Sequence, residues 1–144
     1  MRRAAILLAV ALWTRDARAQ ITVSGSPAQM TVSAAIAGSA PTAVTNSTTT
    51  YTVTKPTAPR TYTITASINT AMPAGVTLKI TLASSGNGSS AGAVSLTTSA
   101  QDVITGISAK VTGAAITYQL TATAAAGVVA VQTRRVTLTV VTVP

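Results

Sequence analysis

The chain is 144 residues long, 47% hydrophobic and only 8% charged, with a formal net charge of +8. It contains no Cys, no His and no Phe. The missing His and Cys exclude a Ser-His-Asp triad and the usual zinc ligands, and the length sets one self-sufficient core rather than several.

Residues 1–19 read as a secretory signal, cleaved after Ala19. Arg2 and Arg3 give a positive start, residues 4–13 (AAILLAVALW) an uncharged apolar run, and Ala17, Arg18 and Ala19 a small-x-small cleavage pattern. The apolar run is well short of the roughly 20 residues that span a bilayer, so no membrane span is expected after processing. Residues 20–144 then keep Lys55, Arg60, Lys79, Lys110, Arg134 and Arg135 against Asp102, a net charge of +5. These cations are scattered and carry no interleaved aromatics, so nucleic-acid binding is not expected. They offer a general attraction to anionic polysaccharide or to a cell surface. A single carboxylate side chain cannot run a two-carboxylate glycosidase and, with backbone carbonyls, would hold calcium weakly. The expectation is a protein that is not an enzyme and carries no cofactor and no metal.

From Gln20 onward, apolar and hydroxylated residues alternate with period two. Ile21 and Val23 alternate with Thr22 and Ser24, and Met30 and Val32 continue the pattern. Residues 34–50, rich in Ala, Ser, Thr and Pro, read as linker-like, so that residues 20–47 form a candidate N-terminal strand extension on the main body. Tyr51 and Val53 open the next run. Tyr62, Ile64, Ala66 and Ile68 follow, then Val76, Leu78, Ile80 and Leu82. Val94 and Leu96 form a shorter piece. Ile116, Tyr118, Leu120 and Ala122 make a further run, and Val136, Leu138 and Val140 the final one. Each reads as a half-buried strand with one apolar and one hydroxylated face. Turn formers fall between the runs, among them Gly25 to Pro27, Met72 to Gly75, the Ser/Gly-rich residues 84–92, and Gly113. Residues 122–131 are Ala-rich, but Gly127 and the Val pair favour a strand end, a turn and the approach to the last strand.

This spacing predicts one all-β domain over residues 20–144, an antiparallel immunoglobulin-like or Greek-key β-sandwich of about seven to nine strands. A small β-barrel is the alternative. The candidate core or groove residues are Tyr62, Ile64, Val76, Leu78, Ile80, Tyr118, Leu120, Val136, Leu138 and Val140. With no Phe, and with Trp13 inside the signal, burial must come from Val, Ile, Leu and Ala, and each Ala removes little apolar area from water. Such a core gains from partner subunits.

Several features have modest readings. Asp102 falls in a turn leading into Val103 and Ile104, where a carboxylate accepts from nearby backbone N–H groups. Arg134 and Arg135 place a cation on the solvent face of the last strand, as edge protection. Thr-x-Thr recurs at Thr52/Thr54, Thr61/Thr63/Thr65, Thr121/Thr123 and Thr137/Thr139 and suits the outer face of strands. An ice-ordering array would need a flat surface, whereas sandwich sheets twist. Asn46 and Asn87 head short N-glycosylation patterns. Ile21 and Val23 are a candidate donor strand: they pair either inside their own subunit or with a neighbour's open edge, and the side-chain pattern is the same for both.

The segments MPAGVTLKITLASSGNGSSAGAVSLTTSAQDVITGI, ITYQLTATAAAGVV and RRVTLTVV resemble small secreted bacterial β-sandwich proteins of unassigned role, over about residues 51–141. Fold and size also resemble fimbrial pilins assembled by donor-strand exchange. Many such pilins carry a disulfide and a penultimate Tyr, where this chain has no Cys and has Val143. The export signal, the missing catalytic groups, the aromatic-poor core and the alternating terminal strands lead to the expectation of an extracellular structural subunit of a pilus- or fibre-like assembly, self-associating into a homopolymer. The alternative is a monomeric secreted surface- or glycan-binding module, for which the three Tyr, in phase with core positions, make a poor stacking platform.

Overall fold

The computed structural model describes residues 19–32, 39–54 and 59–144. Residues 1–18, read as a signal, lie outside the described residues, as do Ser33 and positions 34–38 of the linker-like stretch. Nine strands run in order: β1 Gln20–Ser24, β2 Val44–Thr54, β3 Thr61–Ile68, β4 Val76–Leu82, β5 Ser89–Ser90, β6 Val94–Ser95, β7 Gln101–Ile107, β8 Val111–Ala122 and β9 Val136–Val143. They form two sheets, ordered β1-β2-β8-β4-β6 and β5-β7-β3-β9, and every pairing is antiparallel. Among the described residues each sheet keeps two open edges, so the architecture is a sandwich and not the alternative barrel.

The period-two pattern explains the layers. Tyr62, Ile64, Ala66 and Ile68 of β3 face Leu78, Ile80 and Leu82 of β4 and Ala114, Ile116 and Tyr118 of β8 across one continuous core, completed by Tyr51, Val53, Leu96, Val103, Ile104, Ile107 and Val111. Complete burial of an Ile, Leu or Val side chain stabilises the fold by about 1.5–3 kcal/mol. Thr49 and Thr63 are buried, but most other hydroxylated strand residues occupy the other face. There they pair across strands, Thr77 with Thr121, Thr81 with Thr117 and Thr65 with Thr139.

Four local expectations change. β2 begins at Val44, inside the stretch read as linker, because residues 44–46 pair with residues 118–120 of β8. Met30 and Val32 belong to no strand. Asp102 lies within β7, opposite Thr65, rather than in a turn before it. Gly113 lies inside β8 rather than between strands. Its φ of +60° accommodates a bulge where the β2–β8 register shifts between Tyr51 and Val53, and its N–H donates to Thr52 Oγ1 at 3.1 Å.

The strand order matches the immunoglobulin plan in most of its parts. That plan places strands A-B-E-D in one sheet and C-F-G in the other. Here β1, β2, β8 and β4 occupy the A-B-E-D places, and β3 and β9 the C and F places. Beyond β9, at the place of strand G, no strand is paired among the described residues.

Candidate functional site

The two flanks of the sandwich differ. On one, residues 94–97 pass between the sheets. The Leu96 N–H donates to the Leu78 carbonyl at 2.8 Å, and the Ile68 N–H donates to the Thr97 carbonyl at 2.9 Å. Leu96 is buried beneath this strap. On the other flank the edges are β1 and β9, which approach each other without pairing.

The four sheet edges are unequal. β5 and β6 are two residues long, and β1 is five. β9 has eight residues, VTLTVVTV, with no charge and no Pro. Short strands, charges and Pro are the usual means of keeping an edge from pairing with another chain, and β9 has none of them. Val136, Leu138 and Val140 turn inward against the core, while Val141 and Val143 remain 44% and 40% exposed. Arg134 and Arg135 precede β9: Arg135 is exposed beside the strand's first residue, and both are tied to the loop that follows β3. Arg134 Nη2 donates to the Ala71 carbonyl at 2.9 Å, and the Arg135 N–H donates to Asn69 Oδ1 at 2.8 Å.

Beside the β9 edge, the space between the sheets opens into a cleft of about 780 Å³. Of the predicted core or groove residues, Val76, Leu78, Tyr118, Leu120, Val136 and Leu138 line it together. Tyr62, Ile64 and Ile80 lie instead in the closed core, and Val140 packs against that core. The candidate donor residues Ile21 and Val23 also line the cleft, from β1 of the same chain, where Ile21 pairs with Val53 and Val23 with Tyr51. The single chain therefore uses this strand on its own β2. Val23 is nevertheless 45% exposed.

Two loops cover the cleft, and sequence patterning missed both. Residues 27–32, 127 and 129–134 line it, as do Met72 and Pro73. Met72 to Gly75 reads in sequence only as a turn, and it is one: the Val76 N–H donates to the Pro73 carbonyl at 3.0 Å. Gly75, at φ +77°, sits at the third position that a type II turn reserves for glycine. The turn brings Met72 under the sheet.

Tyr51, Tyr62 and Tyr118 are all buried, which leaves no exposed aromatic ring among the described residues for a sugar to stack on. No group of three or more His, Cys, Asp or Glu side chains converges among the described residues, and none of their helices is long and apolar enough to cross a membrane.

Comparison of the chain with protein-family models, with curated proteins and with solved structures finds no match in any of the three.

Proposed function

We propose that this protein is an extracellular structural subunit of a fibre-like homopolymer, exported by its N-terminal signal and joined through strand addition at β9. The observation that carries this reading is the open edge of β9 at the place of the last immunoglobulin strand. An added strand would complete the sheet with main-chain hydrogen bonds and present alternate side chains to the sandwich interior. The candidate donor is the β1 segment, whose Ile21 and Val23 alternate with Thr22 and Ser24. Donor and acceptor are different surfaces of one chain, so the contact is heterologous and propagates along an axis.

The test is negative-stain microscopy and size-exclusion chromatography of the purified mature chain, beside Thr139→Lys/Val141→Lys. Both positions are exposed on β9, so the lysines leave the core intact while placing charge along the edge. The expected outcome is filaments for the parent chain and monomers of unchanged fold for the variant. A parent chain that stays monomeric under all assembly conditions, with stability unaltered by deletion of residues 20–24, would sink the reading.

A further inference from the structure

We infer that the cleft is a binding site for a fatty-acid anion. Its volume, about 780 Å³, falls within the roughly 300–1,000 Å³ of small-molecule pockets. Its walls are mainly apolar, built from Leu78 and Leu120 on one sheet, Leu138 on the other, and Met30 and Met72 from the loops, with Gln29, Thr31, Gln132 and Thr133 among the polar side chains. That lining suits an acyl chain.

Arg134 sets the charge of the ligand. Among the described residues it is the one charged residue lining the cleft, and none of them brings a carboxylate to the lining. Asp102, the one carboxylate side chain among the described residues, is on β7 and does not line the cleft. Arg134 Nη1 donates to the Thr133 carbonyl at 3.1 Å, and Nη2 to the Ala71 carbonyl at 2.9 Å and to Gln132 Oε1. These bonds hold the guanidinium at the cleft. Its Nε is buried with no hydrogen-bond partner. A buried N–H of a cation is costly to leave without an acceptor. That N–H is closed to the cleft as well as to solvent; the second N–H of Nη1, which none of these bonds uses, is the donor left for a carboxylate oxygen, which also brings the opposite charge. A purely apolar ligand supplies neither, and a sugar finds no exposed aromatic face.

The proposal goes beyond the fibre reading and does not rest on it. The experiment uses the monomeric fraction of the mature chain and cis-parinaric acid, a fatty acid that fluoresces in apolar surroundings. The expected result is one saturable site from which dodecanoate and dodecanol both displace the probe. Arg134→Gln should weaken dodecanoate roughly tenfold, the loss of one charge-assisted hydrogen bond, and leave dodecanol unchanged. Arg134→Lys should restore part of the preference for the anion. Leu120→Trp, with its fold checked by circular dichroism, should abolish binding of both by filling the cleft. Equal weakening of dodecanoate and dodecanol in Arg134→Gln would overturn the assignment of the anion. Absence of saturable binding in a chain that still forms filaments would overturn the site and leave the cleft to a neighbouring subunit's side chains.

Discussion

The Tyr51 hydroxyl donates to the Ala83 carbonyl at 2.7 Å. The two residues belong to opposite sides of one sheet: Tyr51 lies on β2, Ala83 just beyond β4, and β8 runs between those strands. The side chain therefore passes beneath β8 and ties its two neighbours together. The phenol is buried, and burial pushes its pKa up from 10.0 to about 12.

This pair sets an alkaline limit. Below about pH 9 the phenol is neutral in both folded and unfolded chains and has no effect on the pH dependence of stability. Between about pH 10 and 12 the unfolded chain releases the proton while the folded chain keeps it, so the folded state binds more protons and stability falls as pH rises. Urea denaturation should show a constant midpoint up to about pH 9 and a decline above it. Burial also raises the Tyr118 pKa, which adds to the decline. Tyr51→Phe should be less stable at neutral pH by about 1 kcal/mol, since the Ala83 carbonyl loses its partner, but should show a shallower alkaline fall.

If β1 must leave β2 to serve a neighbour, locking it in place blocks assembly. Ser24 lies directly opposite Thr50 in the β1–β2 register, and antiparallel partners are within the Cα spacing a disulfide accepts. The chain has no Cys of its own to interfere. Oxidised Ser24→Cys/Thr50→Cys should remain monomeric by size exclusion, and dithiothreitol should restore assembly. Filaments that form equally well with the disulfide closed would show that β1 is not the donor.

Two glycines with similar backbone angles should respond differently to Ala. At Gly113 an added methyl meets nothing within 4 Å, so Gly113→Ala carries only the left-handed backbone cost, about 1–2 kcal/mol. At Gly75 it would lie 2.7 Å from Thr123 Oγ1 and 2.9 Å from the Ala126 Cβ. Gly75→Ala should therefore lower the denaturation midpoint further and displace the 124–126 turn that precedes the cleft's covering loop. Equal losses would mean that this turn yields freely.

Ile116 and Ile80 are fully buried at the centre of the first sheet. Ile116→Ala should cost about 2–5 kcal/mol by lost burial and a residual cavity. Leu138→Ala, at the half-open cleft, should cost less, because that side chain is only partly removed from water. Thermal denaturation of the two variants side by side checks the order.

The strands were legible in the sequence because alternation of the kind seen in Tyr62, Ile64, Ala66 and Ile68 has no helical reading, and those residues do line one face of β3. The start of β2 was hidden: Val44 sits among Thr, Ser and Asn, and only its distant pairing with Leu120 makes it a strand. The cleft was half legible. Leu78, Tyr118, Leu120 and Val136 follow from their phase in strands. Met30, Met72 and Arg134 reach it from irregular segments, where no periodicity marks the direction of a side chain. The contrast between a strapped flank and an open one depends on which strands become neighbours, a property of topology that local patterning does not carry.

The ladder map has a consequence for how the chain folds. β1 and β2 are the one pair of consecutive strands that bond to each other, and residues 25–43 separate them; β2 waits for β8, β3 for β7 and β9, and β4 for β6 and β8. Among the described residues the sandwich has no tight hairpin to nucleate it. Nearly every ladder closes a long loop before any contact repays the lost chain entropy, which places the protein among slow folders, on the order of milliseconds to seconds. Stopped-flow refolding in the microsecond range would contradict this. A newly made chain would spend that interval with unpaired strands, so the same topology that leaves β9 open at the end keeps many edges open at the beginning.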